Sequence, residues 1–367
     1  MSFDLVNLAV KMLAPSNEVL LDDKGMPSVY VRIPKFKISD VITGGSDTVH
    51  PAFIINGQEI DEIYISKYQN IIVNDCAYSL PGQDPATSLN FDRALTVCAN
   101  KGAGFHLMTN AEWAAIALWC RKNSCMPKGN NNYGKDSTES TYDAIPATRE
   151  TTGDNIGRIN RVLTGTGPVS WSHNNDRSGI WDLNGNVHEW VGGYRTFAGE
   201  IQILANNNAA DSSLSQAENS AQWKAIKEDG TLVAPGTADT LKWDYKADPG
   251  TVNANKAFEL AKSLSYQQTV EAPYGGQSFE SLTARTGVTV PELLKALALY
   301  PADANSHGGD YFYMRNLAAD ERLLSRGGLW SNGARAGVFC GDGDSPRSYA
   351  NGALGFRSAF VNLPSAN

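Results

Sequence analysis

The segment from Ile180 to Val191 constrains the fold of this chain more than any other feature of its sequence. It reads Ile-Trp-Asp-Leu-Asn-Gly-Asn-Val-His-Glu-Trp-Val, so a glycine flanked by two asparagines stands between two tryptophans. Glycine permits a turn conformation that other residues avoid, and short amide side chains hydrogen-bond their own backbone. We therefore predict a tight turn at Gly185, with the rings of Trp181 and Trp190 buried in a core.

Two alternations of apolar and polar residues nearer the N-terminus are typical of β-strands. They run over residues 28–38 and 62–68, and the Asn56-Gly57 pair between them is a strong turn signal. We therefore predict two antiparallel strands around a loop. Residues 90–100 carry apolar side chains at helical spacing, and Thr109-Asn-Ala-Glu112 matches a capping box, so two helices are predicted to pack beside this sheet.

Beyond these helices the composition of the chain changes twice. Residues 128–167 are rich in Asn, Gly, Ser and Thr without clear periodicity, which predicts a long ordered loop. Residues 201–310 are richer in Ala, Asn, Lys and Gln, and we interpret them as a helical or irregular insertion. Helix-like stretches within this insertion lie at 253–265 and 291–300.

Charge and cysteine usage exclude several classes of function. The 367 residues carry a formal net charge of -8, whereas nucleic-acid binding depends on clustered Lys and Arg, so no nucleic-acid partner is expected. No apolar run is long enough to insert into a membrane, and the N-terminus lacks the basic start and cleavage site of a secretion signal. The cysteines are odd in number and widely spaced, which favours small buried apolar groups over disulfides or a zinc site: Cys76, Cys98, Cys120, Cys125 and Cys340.

Three motifs in this chain resemble those of the formylglycine-generating-enzyme (sulfatase-modifying factor) family. Gly104-Phe-His-Leu-Met-Thr-Asn-Ala-Glu-Trp113 resembles the family's R-L-P-T-E-A-E-W helix start, and segment 180–191 is similar to its D-M-x-G-N-V-W-E-W signature. Ser325-Arg-Gly-Gly328 and, much later, Leu354-Gly-Phe-Arg357 resemble its closing R-G-G-S and L-G-F-R. Three motifs in the same order are hard to match by accident.

This resemblance implies an α+β fold of the C-type-lectin-like kind, with small antiparallel sheets, two helices and long loops. The lectin-like domain would cover residues 28–200 and 311–367. Residues 1–27 would then be an N-terminal extension, and 201–310 a large insertion within the domain.

The resemblance also bears on metal binding near the predicted turn. Relatives of this family hold calcium in this region, so Asn184, Asn186 and Glu189 are implied as candidate oxygen ligands. A purely structural, hydrogen-bonded turn is the alternative. His188 has no partner histidine at ligand spacing, and we interpret it as a packing residue.

The oxidases of the family need two cysteines shortly after the Gly-Gly pair. In this chain the positions expected for that pair fall near Asn332 and Gly337, and Cys340 is the one thiol in the stretch. One thiolate cannot perform paired-thiol chemistry, so we expect a protein that is not an enzyme. An oxidase of the sulfatase-modifying kind stays an alternative, as does a fixed calcium-dependent lectin that uses Asp342 and Asp344.

The C-terminal stretch from Arg326 to Ala359 is similar to the variable region of the variable proteins of diversity-generating retroelements, another branch of this fold. In that family template adenines are randomised, mostly in Asn codons, so a diversified position cannot become Lys, Glu, Gln, Met or Trp. The family pattern implies diversified, ligand-binding positions at Leu329, Ser331, Asn332, Arg335, Cys340, Asp342, Asp344, Ser345, Tyr349, Asn351 and Ala353, none of which is a forbidden residue. Between them lie residue types that a scaffold needs for turns, ring burial and buried guanidinium groups: Gly328, Trp330, Gly333, Gly337, Phe339, Arg347, Gly355, Phe356 and Arg357.

What the resemblance implies is a receptor-binding protein that contacts a host-surface protein or glycan through residues 329–353. No cofactor is expected beyond a structural calcium ion, and a homo-oligomer is compatible with the family. Because no secretion signal is recognised, a virion component such as a phage tail fibre is favoured over a bacterial cell-surface protein. The alternative is that 329–353 is simply the last hairpin and loop of the fold, with tolerated surface residues.

Overall fold

The computed structural model describes residues 3–271 and 273–363, and its architecture is mostly β-sheet with few helices. The α-helices are α1 (Phe3–Leu13), α2 (Ile38–Val41), α3 (Phe91–Ala99), α4 (Asn110–Lys122) and α5 (Glu292–Ala296). Short 3-10 turns lie at Pro51–Phe53, Val169–Trp171, Asn208–Ala210, Phe279–Ser281 and Gly333–Arg335.

The strands form two larger sheets and two hairpins. Those before residue 110 are β1 (Asn17–Leu21), β2 (Pro27–Pro34), β3 (Ile54–Ile55), β4 (Gln58–Glu59), β5 (Glu62–Ser66), β6 (Ile71–Val73), β7 (Cys76–Tyr78) and β8 (Phe105–Leu107). Those after residue 180 are β9 (His188–Phe197), β10 (Glu200–Ile203), β11 (Lys224–Ile226), β12 (Leu232–Val233), β13 (Lys242–Tyr245), β14 (Asn255–Lys256), β15 (Phe258–Ala261), β16 (Tyr274–Ser278), β17 (Thr283–Ala284), β18 (Tyr311–Met314), β19 (Glu321–Gly327), β20 (Gly337–Ser345), β21 (Leu354–Phe356) and β22 (Ser358–Phe360).

The smaller of the two larger sheets has the strand order β1-β2-β5-β22-β8. Strands β2 and β5 pair antiparallel, which confirms the two strands predicted from alternation. The predicted turn is also present: Asn56 and Gly57 have φ angles of 52° and 76° and join β3 to β4. Because β1 pairs with β2, part of the predicted N-terminal extension belongs to this sheet, and it also carries helix α1.

Helices α3 and α4 confirm the two predicted helices. Asn90 caps α3 by accepting from the backbone N–H of Arg93, and Thr109 caps α4 by accepting from that of Glu112. The Glu112 carboxylate accepts from the backbone N–H of Thr109 in return, which completes the predicted capping box. Helix α4 is buried on nearly all sides and packs against β9 and β20, so it supports the strand that carries the candidate site.

The larger sheet follows the order β14-β16-β18-β20-β19-β9-β10-β13-β15-β17. Strands from residues 201–310 occupy both ends of this order, and irregular segments and one short helix lie between these strands. The helices expected in this segment are only partly present. In particular, 253–265 is not a helix. Phe258 and Leu260 point into the core at every second position, and β15 pairs with both β13 and β17. The stretch 291–300 does contain a helix, α5.

Two further expectations concern loops and cysteines. Residues 128–167 contain isolated bridges but no helix or longer strand, as predicted for a long loop. All five cysteines are free, and each is buried except Cys125, which is partly exposed. Within the described part of the chain, no helix is both long and apolar enough to cross a membrane.

Candidate ligand-binding site

The turn at Gly185 anchors the base of the site. Gly185 has a φ angle of +76°, and a Cβ atom there would lie 2.2 Å from the carbonyl oxygen of Asn130. Asn186 also has a positive φ, and its side chain accepts from the backbone N–H of Val162 at 2.9 Å. Both predicted tryptophan rings are buried. The turn therefore ties the start of β9 to the long loop.

Glu189 and Arg357 form a fully buried ion pair beside this turn. Arg357 donates from Nε to Oε2 and from Nη2 to Oε1 of Glu189, both at 2.6 Å. It also donates to the carbonyl oxygens of Ser66 and Trp181 at 3.0 Å each. Since neither charge has access to water, each depends on the other.

The implied calcium ligands do not fit a calcium site in this arrangement. The Asn184 side chain accepts from Asn131 at 3.2 Å and donates to the Pro127 carbonyl at 2.8 Å. The Asn186 side chain likewise accepts from Val162 and donates to Gln69, and the Glu189 carboxylate accepts from Arg357. Among the described residues there is also no group of three or more His, Cys, Asp or Glu side chains that could hold a metal ion. The hydrogen-bonded structural turn accounts for these three residues.

The predicted variable region begins in the connection between β19 and β20, which pair antiparallel with shifts in register. Gly328 opens this connection with a φ angle of +80°, and a Cβ there would approach that of Ala336 to 2.6 Å. The Asn332 side chain accepts from the backbone N–H of Leu329 at 2.8 Å. These contacts hold the connection as a tight, ordered loop.

A pocket of about 470 Å³ opens beside β20 and the segment that follows it. Seven of the predicted variable residues line this pocket: Leu329, Asp342, Asp344, Ser345, Tyr349, Asn351 and Ala353. They come from the loop after β19, from β20 and from the 346–353 loop, and the fold brings them to one concave surface.

The other four predicted positions do not line this pocket. Ser331 and Arg335 are exposed on the neighbouring loop, and the Arg335 guanidinium lies 4.7 Å from the centre of the Tyr311 ring. Asn332 is partly buried in the same loop. Cys340 is only 1% exposed, and burial, with the nearby Asp310 and Asp342, raises the pKa of its thiol well above the usual range.

Most interleaved residues form the scaffold behind the pocket. Phe339, Phe356 and Arg357 are completely buried, whereas Trp330 is partly exposed. Arg347 donates to both carboxylate oxygens of Glu321, at 2.7 and 2.9 Å, and so ties the 346–353 loop to β19. The predicted pattern of variable and scaffold residues therefore corresponds to pocket and support in space over most of its length, and the exceptions are Trp330, Ser331, Asn332, Arg335 and Cys340.

The pocket contains two carboxyl groups that influence each other. Asp342 and Asp344 lie two residues apart on β20, and the backbone N–H of Asp344 donates to Oδ1 of Asp342 at 3.2 Å. Burial, together with the neighbouring Asp342, raises the pKa of Asp344 to about 8, and burial raises the pKa of Asp342. We expect the pair to retain a proton near neutral pH, so it can both donate and accept hydrogen bonds.

Known structures resemble this chain. They include PvdO from Pseudomonas aeruginosa, with 14% identity, a TM-score of 0.37 and coverage of 93% of this chain and 97% of that one. Treponema denticola variable protein 1 has 13% identity and a TM-score of 0.31, covering 94% and 99%. The P3c variant of a major tropism determinant has 10% identity and a TM-score of 0.25, covering 94% and 71%. No protein-family model and no curated protein matches the sequence.

Part of the pocket comes from residues that the sequence analysis did not assign to a site. His188 is buried, as expected of a packing residue, but its ring also lines the pocket, and burial lowers its pKa to about 4. Ser325 and Leu354 belong to the two closing motifs but had no binding role assigned, and no local pattern marks the remaining residues, which lie on separate strands and loops: Glu271, Arg315, Arg322 and Pro346. The charged members of this set give the pocket a second, arginine-lined end.

Proposed function

We propose that this chain is a non-enzymatic ligand-binding protein with a C-type-lectin-like domain at residues 28–200 and 311–367, whose pocket is diversified by a retroelement. One observation carries the proposal. Seven of the eleven residues selected from the family pattern alone, scattered over positions 329–353, converge on a single pocket, while most residues between them are buried support. Concave surfaces with a few polar groups are typical of ligand sites.

The plain alternative, a tolerated surface hairpin, predicts a different distribution. Surface residues under no common requirement would be spread over both faces of β20 and over the outside of its loops. Asp342 and Asp344 instead lie on the pocket side of β20, and Tyr349 and Asn351 on the next loop line the same pocket. This grouping supports a shared role in binding.

The cysteine environment supports a protein without thiol-oxidase activity. Asn332 and Gly337 stand where the family's paired cysteines are expected, and the nearby Cys340 is buried with a raised pKa. A reactive thiol needs access and a lowered pKa, and Cys340 has neither. The ligand we propose is a receptor, protein or glycan, on a host surface, and the setting is a phage tail fibre or a bacterial cell surface.

Deep sequencing of the 3′ end of the gene across a population of its source, with the flanking DNA, tests this proposal. We expect substitutions concentrated at the codons for the eleven proposed positions, beside a near-identical template repeat that carries adenines there. The codons of the interleaved scaffold residues provide the internal control and should not vary. A uniform 3′ end without a template repeat would contradict the proposal and favour a fixed lectin or an enzyme.

A further inference from the structure

A carboxylate of the protein itself occupies the charged end of the pocket. Glu271 accepts from Nη2 of Arg322 at 2.6 Å and from Nη1 at 3.1 Å, and it also accepts from Arg315. The Glu271 side chain is 57% exposed, whereas those of Arg322 and Arg315 are 4% and 15% exposed. The carboxylate therefore lies on the solvent side of two guanidinium groups that are themselves built into the protein.

The two arginines are held in place by other contacts. Arg322 donates to the carbonyl oxygen of Asp344 at 2.6 Å and pairs with Asp320, and Nη2 of Arg315 lies 3.5 Å from Oδ2 of Asp344. The Nε atoms of Arg315 and Arg322 are buried without a hydrogen-bond partner among the described residues. Neither arginine is a proposed variable position, so both would be present in every version of the site.

We propose that Glu271 is an internal substitute for the acidic group of a ligand, and that the pocket binds an acidic sugar whose carboxylate replaces that of Glu271 on Arg315 and Arg322. This inference rests on the proposed function, because it identifies the ligand class of the same pocket. It adds a constant, anion-binding end to a site whose other walls are diversified.

The exchange of the Glu271 carboxylate for a ligand carboxylate should have a low free-energy cost. A guanidinium fork matches the two oxygens of a carboxylate, and the geometry for that match already exists. The charge of the pocket stays the same, since one carboxylate leaves as another enters. Glu271 is largely exposed, so its carboxylate regains water readily when it is displaced, and the ligand carboxylate replaces the ion pairs that it gives up.

The remaining walls of the pocket favour a sugar over a simple anion. The Asp342–Asp344 pair keeps a proton near neutral pH and can donate to and accept from hydroxyl groups. Asn351 donates to the Tyr349 hydroxyl at 2.8 Å, and the 41% exposed Tyr349 ring offers an apolar face for a sugar ring. The volume of about 470 Å³ is within the range of small-molecule sites.

Binding of glucuronate and of glucose to the full chain tests the proposal, measured by ligand-observed NMR titration. We expect glucuronate to bind and the neutral glucose to bind at least tenfold more weakly. Glu271→Ala frees the arginines and should tighten glucuronate binding about tenfold, with no change for glucose. The matched control is Glu59→Ala, which removes a 55% exposed carboxylate that pairs with Lys35 away from the pocket and should change neither affinity.

Arg315→Gln should abolish the preference for glucuronate over glucose, and circular dichroism verifies that the variant is folded. If it does not fold, Glu271→Ala alone decides the matter. Unchanged glucuronate affinity in Glu271→Ala, or equal affinities of the native chain for both sugars, would overturn the proposal. Sulfate or acetate binding as tightly as glucuronate would overturn the sugar assignment.

These outcomes are distinguishable from those of the sequencing experiment. A diversified 3′ end without glucuronate binding would remove this inference and leave the proposed function standing. Glucuronate binding with a uniform 3′ end would establish an acidic-sugar site in a lectin that is not diversified.

Discussion

Replacing Glu189 with Gln removes one charge from the buried pair and leaves the shape of the side chain almost unchanged. Arg357 would then keep its charge at a position with no exposure, bonded to an uncharged amide and to two carbonyl oxygens. Breaking a buried pair in this way typically costs about 3–5 kcal/mol. Since domains of ordinary stability unfold at a cost of about 5–15 kcal/mol, we expect Glu189→Gln to lose a large part of the total.

Urea unfolding followed by tryptophan fluorescence measures this loss directly. Arg357→Met in the native and the Glu189→Gln backgrounds completes a double-mutant cycle, and we expect the double variant to lose much less than the sum of the single variants. The exposed pair of Arg93 and Asp75 provides the control, because Arg93→Met should cost less than about 1 kcal/mol.

Two results would refute this reasoning. A loss below about 1 kcal/mol for Glu189→Gln would mean that the buried charge of Arg357 does not depend on Glu189. A chelator that lowers the stability of the native chain, but not that of Glu189→Gln, would instead support a calcium ion held by Glu189. Neither is expected, because both carboxylate oxygens already accept from the guanidinium.

Three further outcomes follow from particular side chains. Gly185→Ala should lower the free energy of unfolding by about 1–3 kcal/mol in calorimetry, because its positive φ and the nearby carbonyl exclude a Cβ; an unchanged value would contradict the geometry. Burial lowers the pKa of His173 to about 3 and that of His188 to about 4, below the 6.5 of a histidine in the unfolded chain. The stability that these neutral histidines contribute above pH 6.5 should therefore be lost as the pH falls towards 4. Each histidine should lower the free energy of unfolding by about 1.4 kcal/mol for each pH unit. Because the raised pKa of Asp344 acts in the opposite direction, the test compares the native chain with His188→Phe, whose melting temperature should fall less between pH 7 and pH 5; equal falls would count against this. In the folded chain a thiol reagent should modify the partly exposed Cys125 and spare the buried Cys340, as mass spectrometry of the labelled protein would determine.

Local chemistry made several elements predictable without the fold. The capping box at Thr109 and the Asn56-Gly57 turn each depend on interactions within a few residues of the backbone. Their local sequences are therefore sufficient to predict them. The stretch 253–265 was mispredicted for the opposite reason. Its short apolar runs suit a helix or a strand, and pairing with β13 and β17, which are distant in sequence, selects the strand.

The candidate site divides in the same way between sequence and tertiary structure. The family resemblance alone named Asp342, Asp344 and Tyr349, and the sequence alone determined that scaffold residues interleave with such positions. It could not determine that Glu271, Arg315 and Arg322 complete the pocket, since these residues come from separate segments that meet only when the larger sheet forms. For Cys340 the sequence led to two expectations, a buried apolar group and a ligand-binding position, and the tertiary structure agrees with the first. Neighbouring residues along the chain determine turns and caps. A pocket and its charges form only when the burial of apolar surface brings strands together that are distant in sequence.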